Sequence, residues 1–439
     1  MGTLLSASAD AAVPDAGAQD GAITPVLTPS QIATNVASDI ASTTAFLYTG
    51  PGAVQTGVTP GTIDSQRVVV VRGRVLDNLG SALPGVEITI PAHPELGTTH
   101  SRADGAYDLA VNGGGALVLS FRLANRIPVQ REVRTGWRHF VVVNDVIMLP
   151  RDLVMNPVSL ASSGMQSARG STVTDSDGTR QSTLLVPSGT QATLVSSGGP
   201  KTLSSLHVRA TEYTVGAVGP NSMPAALPPT SAYTYAIDLS ADEADEVDGD
   251  VQFNQPLIHY VENFLNFPVG TTVPVGYYDR KLSRWIGAPS GLVIKVLSVQ
   301  GGVAALDLDG DGVAEGPTAL AALGVAQAEL QQLATLYTAG QSLWRVPIAH
   351  FSPWDCNWPY GPPQDAEPPA VPAPHPPPID DDPDRHCGSD IDCVNQSLGE
   401  SIPVTGAAFG LHYSSSRHSQ VAATLVIPLS GATVPADPW

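Results

Sequence analysis

The densest chemistry in the 439-residue sequence lies in the run DLDGDGVAE, where Asp307, Asp309 and Asp311 fall at alternate positions. Carboxylates at the first, third and fifth places, followed by a glycine that can take a sharp turn, form the first half of an EF-hand-type calcium loop. Gly312 holds the turn place, the Val313 carbonyl would be the next oxygen ligand, and Glu315 stands where the ninth-position ligand belongs. The twelfth place is Thr318 instead of the usual bidentate glutamate, so the loop is incomplete as read. Three carboxylates this close repel one another without a cation. The spacing therefore points to calcium held by Asp307, Asp309, Asp311, Val313 and Glu315, and the competing reading is a plain Asx-turn loop. The ion would brace the loop and the helix after it.

A second acidic run, ADEADEVDGD, carries Asp242, Glu243, Asp245, Glu246, Asp248 and Asp250. A paired-acid glycosidase needs one carboxyl kept protonated by burial, and this segment has no apolar pattern to bury one. A solvated loop or a short exposed helix is expected. The sequence has no GxSxG elbow, no HExxH, and no Walker or Rossmann glycine signature, so it is read as non-enzymatic. His259, His350 and His412 sit beside strand-like apolar residues, where a hydrogen-bonded structural histidine is the commoner role. The three cysteines are Cys356, Cys387 and Cys393. The last two enclose the short loop GSDID and could bridge in an oxidising compartment, leaving Cys356 unpaired. A zinc site from His386, Cys387 and Cys393 matches no standard ligand spacing.

Charged residues make up 14% of the chain, below the roughly 25% of ordinary soluble domains, while glycines number 42 and prolines 39. Short, turn-bounded strands are what such a composition supports, so the fold is expected to be mainly β. The formal charge of −20 repels polyanions, and no basic stripe with interleaved aromatics offsets it, so nucleic acid is excluded as a partner. No run approaches the roughly 18 apolar residues of a transmembrane span, and the N-terminal residues lack the basic and apolar regions of an export signal.

The elements that would position these residues follow from periodicity. Residues 1–65, rich in Ala, Thr, Ser, Asp and Gly, are expected to be a flexible leader with one docking patch at Ala45, Phe46, Leu47 and Tyr48. From Arg67, alternation in RVVVVRGRVL, VEITI, YDLAV, LVLSF, IPVQREV and FVVVNDVIML, each run closed by a turn, predicts about seven strands over 66–150. Val71 and Val75 share the inward face of the first, and Arg72 and Arg74 the outward face. Residues 151–355 predict a second β-rich domain, with strands near Ser182–Val186, Ala192–Val195, Leu206–Ala210, Tyr233–Leu239, Val273–Tyr278 and Leu292–Val299. One helical pattern runs from Thr318 to Tyr337, broken at Gly324. Residues 356–397 read as a Pro-rich, acidic linker that carries the cysteines, and 398–439 return to strand-like character.

The phrases VRGRVLDNLGSALPGVEITI, SRADGAYDLAVNGGG and DVIML resemble the carboxypeptidase-regulatory, transthyretin-like family. In that family the β-sandwich is a structural module, so no peptidase activity is implied. A longer resemblance runs through TTAFLYTGPGAVQTGVTPGTID, SLHVRATEYTVG, VENFLNFPVGTTVPVGYYDRKLSRWI, SLWRVPIAHFSPWDCNWPYGPP and NQSLGESIPVTGAAFGLHYSSSR. These resemble the N-terminal region of bacterial RHS-repeat proteins, the prokaryotic relatives of teneurins. That resemblance implies a transthyretin-like domain, then a plug-type β domain, then at 398–439 the first strands of a hollow YD-repeat shell, with the rest of the shell and any C-terminal toxin beyond Trp439. The expected role is a structural cap and plug of a secreted or surface protein, with the downstream YD-repeat shell as partner and a cell-surface ligand as a further one. The alternative is an extracellular adhesion or carbohydrate-binding module using Trp137, Trp285, Trp344 and Trp358, which compete for roles as core or interface anchors.

Overall fold

Alternation in VVVVRGRVLD builds the strand Val68–Asp77 at the centre of the first sandwich, with Val69, Val71 and Val75 pointing into its core. In the computed structural model, which describes residues 39–356 apart from 214–218, 228–230, 232–233 and 248, with the backbone of 398–403 and 410–415, this strand pairs antiparallel with Ala106–Asn112. On its other edge it pairs parallel with Phe140–Val142 and then with Val146–Met148. The run expected as one strand over 140–149 is thus two, broken at Val143–Asp145, and Val141 and Val143 pack on the core from partly buried positions. The facing sheet orders Thr99–His100, Glu87–Thr89, Gly115–Arg122 and Val129–Thr135. Gly73 sits opposite Tyr107 across the first sheet, and the phenol ring fills the space a side chain would take: a Cβ on Gly73 would lie 2.8 Å from the Tyr107 oxygen.

The expected flexible leader needs correction from residue 39 onward. Asp39 caps a one-turn helix, Ile40–Thr44, whose docking patch places Leu47 at 5% exposure. Gln55 is buried, donates from its amide to the Leu96 and Ala110 carbonyls, and accepts from the Ala110 N–H. These bonds tie the leader to the sandwich edge, and Thr56 and Thr98 exchange a further backbone pair. Polar residues can hold a segment in place when each buried group finds a partner, and composition does not report that.

The second β-rich region has three layers. One sheet of six strands runs in the order Arg284–Gly287, Gly276–Asp279, Pro353–Asp355, Ala236–Ala241, Ser205–Glu212 and Asn156–Ser159. The other is centred on Asp250–Glu262 and Ser342–His350, with Gln166–Asp175, Gly178–Val186, Ala192–Ser196, Gly199–Leu203, Gly291–Gln300, Thr272–Val273 and Val303–Asp307. Leu257, Val261, Val293, Trp344 and Val346 fill the space between the sheets together with Ile237, Leu239 and Trp354. On the opposite face Ile258, Tyr260, Ile294 and Leu343 pack against Leu330, Leu333 and Tyr337 of the helical segment. That segment is two helices, Pro317–Ala322 and Gln327–Leu336, divided where Gly324 takes a φ of 71°. The predicted strand over 273–278 divides too, because Thr272–Val273 and Gly276–Asp279 belong to different sheets.

The two β regions share a core. Ile127, Ile147 and Leu149 of the first pack with Tyr213, Met223 and Ala236 of the second. Gln130, 3% exposed, donates its N–H to the Pro224 carbonyl at 2.7 Å and its amide to the Arg280 carbonyl at 3.0 Å, and accepts from the Tyr278 hydroxyl at 2.7 Å. Arg131 adds bonds to the Met223 and Asn221 carbonyls. All this lies within one compact unit, Met1–Tyr360. In the other unit, Gly361–Trp439, Leu398–Pro403 and Gly410–Ser415 form an antiparallel hairpin. The expected linker and cysteine loop at 356–397 lie outside the described residues beyond Cys356.

Candidate functional site

The strand Val303–Asp307 delivers Asp307 to the start of the acidic loop, 2% exposed. Its two carboxylate oxygens accept the N–H groups of Gly310 at 2.7 Å and Gly312 at 3.1 Å, which curls the loop around the side chain. Gly310 and Gly312 both take positive φ, 85° and 80°, as the sharp turn requires. The Glu315 N–H returns to the Leu306 carbonyl at 2.8 Å and brings its carboxylate back over the loop. The result is a cluster in which oxygens of Asp307, Asp309 and Glu315 lie within 4.8 Å of one another. Asp311 is outside that cluster, and its Oδ1 accepts the Val313 N–H at 2.7 Å. Val313 is 64% exposed. Of the four expected carboxylates, then, three converge, and their hard oxygens are the donor type that calcium takes.

The acidic run at 242–250 opens with the short helix expected of it, but its carboxylates are partnered. Asp242–Asp245 form a single helical turn with Ala244 buried beneath it, and each carboxylate facing the protein has a cationic partner. Arg209 grips Asp242 with two bonds, at 2.6 and 2.9 Å; His207 meets Glu243 at 2.8 Å; Arg151 meets Asp245 at 2.7 Å. Desolvation by the residues packed around it, with Asp238 adding like charge nearby, pushes the Asp245 carboxyl up to about 7 even though Arg151 opposes it. Asp245 itself stays exposed, as the sequence reading expects, so the shift comes from its neighbours and not from a sealed pocket. Its environment comes from Arg151, Asp238 and Arg280, residues far away in the chain. No local pattern could have shown them.

His259 is buried and bonded to the Ser182 hydroxyl at 3.0 Å, with its ring stacked on Tyr235 at 6.0 Å, so it fills the structural role expected of it. Burial drives its pKa down to about 3. Cys356 is free and buried, and burial raises its thiol above the usual range, which removes it as a nucleophile. The tryptophans do not assemble into one platform. Trp344 is a core residue, Trp285 packs partly buried at the seam with its indole N–H on the Ala226 carbonyl, Trp137 is 64% exposed, and Trp358 lies outside the described residues. Among the described residues no helix is long and apolar enough to cross a membrane.

Residues missed by sequence reasoning are the buried ion pairs that pin the layers. Arg345, 4% exposed, bonds Glu329 at 2.7 and 3.1 Å, and Glu329 also accepts from Tyr260, which fixes the second helix to the sheet. Arg180, 1% exposed, bonds Asp175 and Glu212 while lying 4.3 Å over the Phe264 ring. A charged residue inside a strand is the only trace these leave in the sequence.

Comparison with known proteins bears on the first sandwich. Residues 63–148 match the family described as Teneurin TTR-like domain. Teneurin-1 of Gallus gallus is 38% identical over 99 residues, 22% of this chain and 4% of the relative. Teneurin-m of Drosophila melanogaster is 41% identical over 87 residues, and Teneurin-1 of Homo sapiens 38% over 85, each match spanning 3% of the relative's length. The chain therefore spans only a small fraction of the curated relatives it matches. Among solved structures, a Streptococcal ancillary pilin aligns over 33% of this chain and 59% of its own at 12% identity, with a TM-score of 0.15 that supports no argument. The fold is mainly β, and its first sandwich is similar to the transthyretin-like domain of teneurins.

Proposed function

We propose that this chain is a non-catalytic structural segment of a secreted or surface protein of the RHS-repeat, teneurin-like kind, and that it closes and supports one end of a YD-repeat shell enclosing a C-terminal effector. The observation that carries the reading is the match of residues 63–148 to the Teneurin TTR-like domain, on a sandwich locked to a second β region through a shared core. A support element must transmit load without yielding, and the buried seam at Gln130 and Arg131 supplies that stiffness. Relatives that are extracellular or surface proteins favour the same location for this chain, where a cell-surface ligand would be a second partner.

The test is co-expression of this chain with the segment encoded downstream, followed by size-exclusion chromatography. A single co-eluting peak that contains both supports the role. A downstream reading frame without YD-type repeats, or two separate peaks, refutes it.

Within the same reading, calcium would sit between Asp307, Asp309 and Glu315 and neutralise their mutual repulsion. The Asp307 bonds to two loop N–H groups hold those oxygens inward, which suits a cation that braces the loop against the helix beginning at Pro317. At calcium a hundredfold above its Kd the unit should gain about 2.7 kcal/mol. The gain should vanish in Asp309→Asn. An unchanged melting temperature in the native chain removes calcium from the account.

A further inference from the structure

The first sheet of the sandwich has two edges, and the described part of the leader covers one of them. That edge is the strand Ala106–Asn112. The buried Gln55 side chain holds both the N–H and the carbonyl of Ala110, while Asn112 accepts from the Asp64 N–H and donates to the Thr62 carbonyl. The other edge is the strand Phe140–Val142, which pairs with Val68–Asp77 on one side alone. The Val70 N–H donates to the His139 carbonyl at 3.2 Å, and the Val143 N–H donates to the Arg72 carbonyl at 2.8 Å. Backbone groups alternate in direction along a strand, so those of Val141 face Val68–Asp77 and those of Phe140 and Val142 face away. An open edge is a template for another strand, and proteins cover or blunt such edges.

This edge also carries an exposed apolar face. Phe140 and Val142 are 48% and 75% exposed on the outer side of the sheet, whereas Val141 packs on the core. The Arg72 guanidinium lies 4.5 Å over the Phe140 ring, and Arg74 and Arg138 are exposed as well. A second copy paired edge to edge would bring arginines against arginines, which like charge opposes. The cover must be extended, apolar on one face and free of positive charge.

The leader is heading for this edge. Followed back from Asp64, it passes Asn112 and Ala110, lays the turn Ala45–Leu47 against Ala106–Asn112, and lays the helix Ile40–Thr44 against Val68–Asp77. That is the order of the sheet, whose next strand is Phe140–Val142. Asp39, its carboxyl held low first by the Ser42 N–H, also feels the charge of Arg138, two residues before Phe140. The Asp39 backbone is extended, with φ −104° and ψ 169°, so the chain reaches the helix from a strand-like direction.

Residues 1–38 lie outside the described residues, and their sequence fits the cover. In QIATNV the β-branched Ile32, Thr34 and Val36 alternate with Ala33 and Asn35, and Pro29 marks where the run stops. No Lys, Arg or His occurs before Asp39, while Asp10, Asp15 and Asp20 carry charge opposite to the arginines. Three extended steps, about 10 Å, lead from Asp39 back to Val36, which puts the run within reach of the edge.

We propose that residues 31–36 add to the sandwich as a further strand on the outer edge of Phe140–Val142, bonding the outward backbone groups of Phe140 and Val142 and laying Ile32, Thr34 and Val36 over their side chains. This docking is independent of the support role and stands or falls separately from it. Amide-resolved hydrogen exchange on the full chain reads it directly. The Phe140 and Val142 N–H groups should exchange about tenfold or more below the unprotected rate. Removing residues 1–37 should return both to that rate. Thr34→Pro combined with Asn35→Pro should do the same, since one of two consecutive N–H groups must face the edge and proline has none. Val143, already bonded to the Arg72 carbonyl, is the control and should stay protected throughout.

Unprotected Phe140 and Val142 in the full chain would leave the edge open and overturn the proposal. Protection that survives the truncation also overturns it, by assigning the edge to another partner, which is a second copy if the protection rises with chain concentration. Protection lost on truncation but kept in the proline variant, or lost together with that of Val143, overturns it too, because the leader would then act without this strand.

Discussion

Replacing His259 with glutamine should flatten the acid limb of this protein's stability curve. The imidazole is buried, bonded to Ser182 and stacked on Tyr235, and burial holds its pKa at about 3 in the fold against 6.5 for the free side chain. Above pH 6.5 both states carry it neutral, so its contribution is fully present. As the pH falls below that value the unfolded chain takes up a proton that the folded chain refuses. Stability is then lost at about 1.4 kcal/mol per pH unit until the folded pKa is reached. Between about pH 6.5 and 4.5 the loss from this residue alone comes to roughly 3 kcal/mol. Asp245 pulls the other way. Its carboxyl is raised to about 7, so its contribution is fully present below 3.8 and is lost as the pH rises through 7.

The native curve superposes these opposite slopes, and the difference between wild type and variant isolates His259. Urea denaturation followed by tryptophan fluorescence at a series of pH values gives that difference directly. Glutamine can keep the bond to Ser182 and does not titrate, so His259→Gln should be less stable at neutral pH through poorer packing and should converge on wild type in acid. Parallel curves would refute the reasoning. They would mean that His259 titrates equally in both states and is not sealed from water.

The remaining predictions concern packing and ion pairs. Glu329→Gln should cost about 3–5 kcal/mol in denaturant titrations, because it strands the charge of buried Arg345, whereas Glu329→Leu with Arg345→Met should cost far less than the two single changes combined. Additive losses would contradict a coupled pair. Gly73→Val should lower stability by about 1–3 kcal/mol, since its Cβ would meet the Tyr107 ring, which Phe121 flanks at 5.5 Å. An unchanged midpoint would mean that the ring can retreat. Gln130→Ala removes two buried side-chain bonds across the seam and should cost about 2 kcal/mol, with faster protease cutting near Leu153, which is 92% exposed between the two β regions. Cutting at the wild-type rate would place the stiffness of the seam elsewhere.

What the sequence determined by itself was whatever leaves a periodic or local trace. Runs of β-branched and apolar residues closed by Gly-bearing turns mark strands, so Val68–Asp77, Ala106–Asn112 and Gly115–Arg122 could be read directly, although stretches such as Val68–Val71 are buried on both faces. The divided helix and its Gly324 break were legible, as was the Asp307 loop with its turn glycine, because both depend on neighbours along the chain.

The strand Asp250–Glu262 was not, since Leu257 and Val261 face one layer while Ile258 and Tyr260 face the other, and burial on both sides erases alternation. Only the tertiary structure decided that Asp311 leaves the carboxylate cluster, that Asp245 meets Arg151, and that Gln55 and Gln130 are buried fasteners. All but the first of these depend on partners tens of residues away, such as Arg151 for Asp245 and Tyr278 for Gln130. Through-space electrostatics and hydrogen-bond satisfaction are properties of that assembled environment, and a residue's type and immediate neighbours do not encode them.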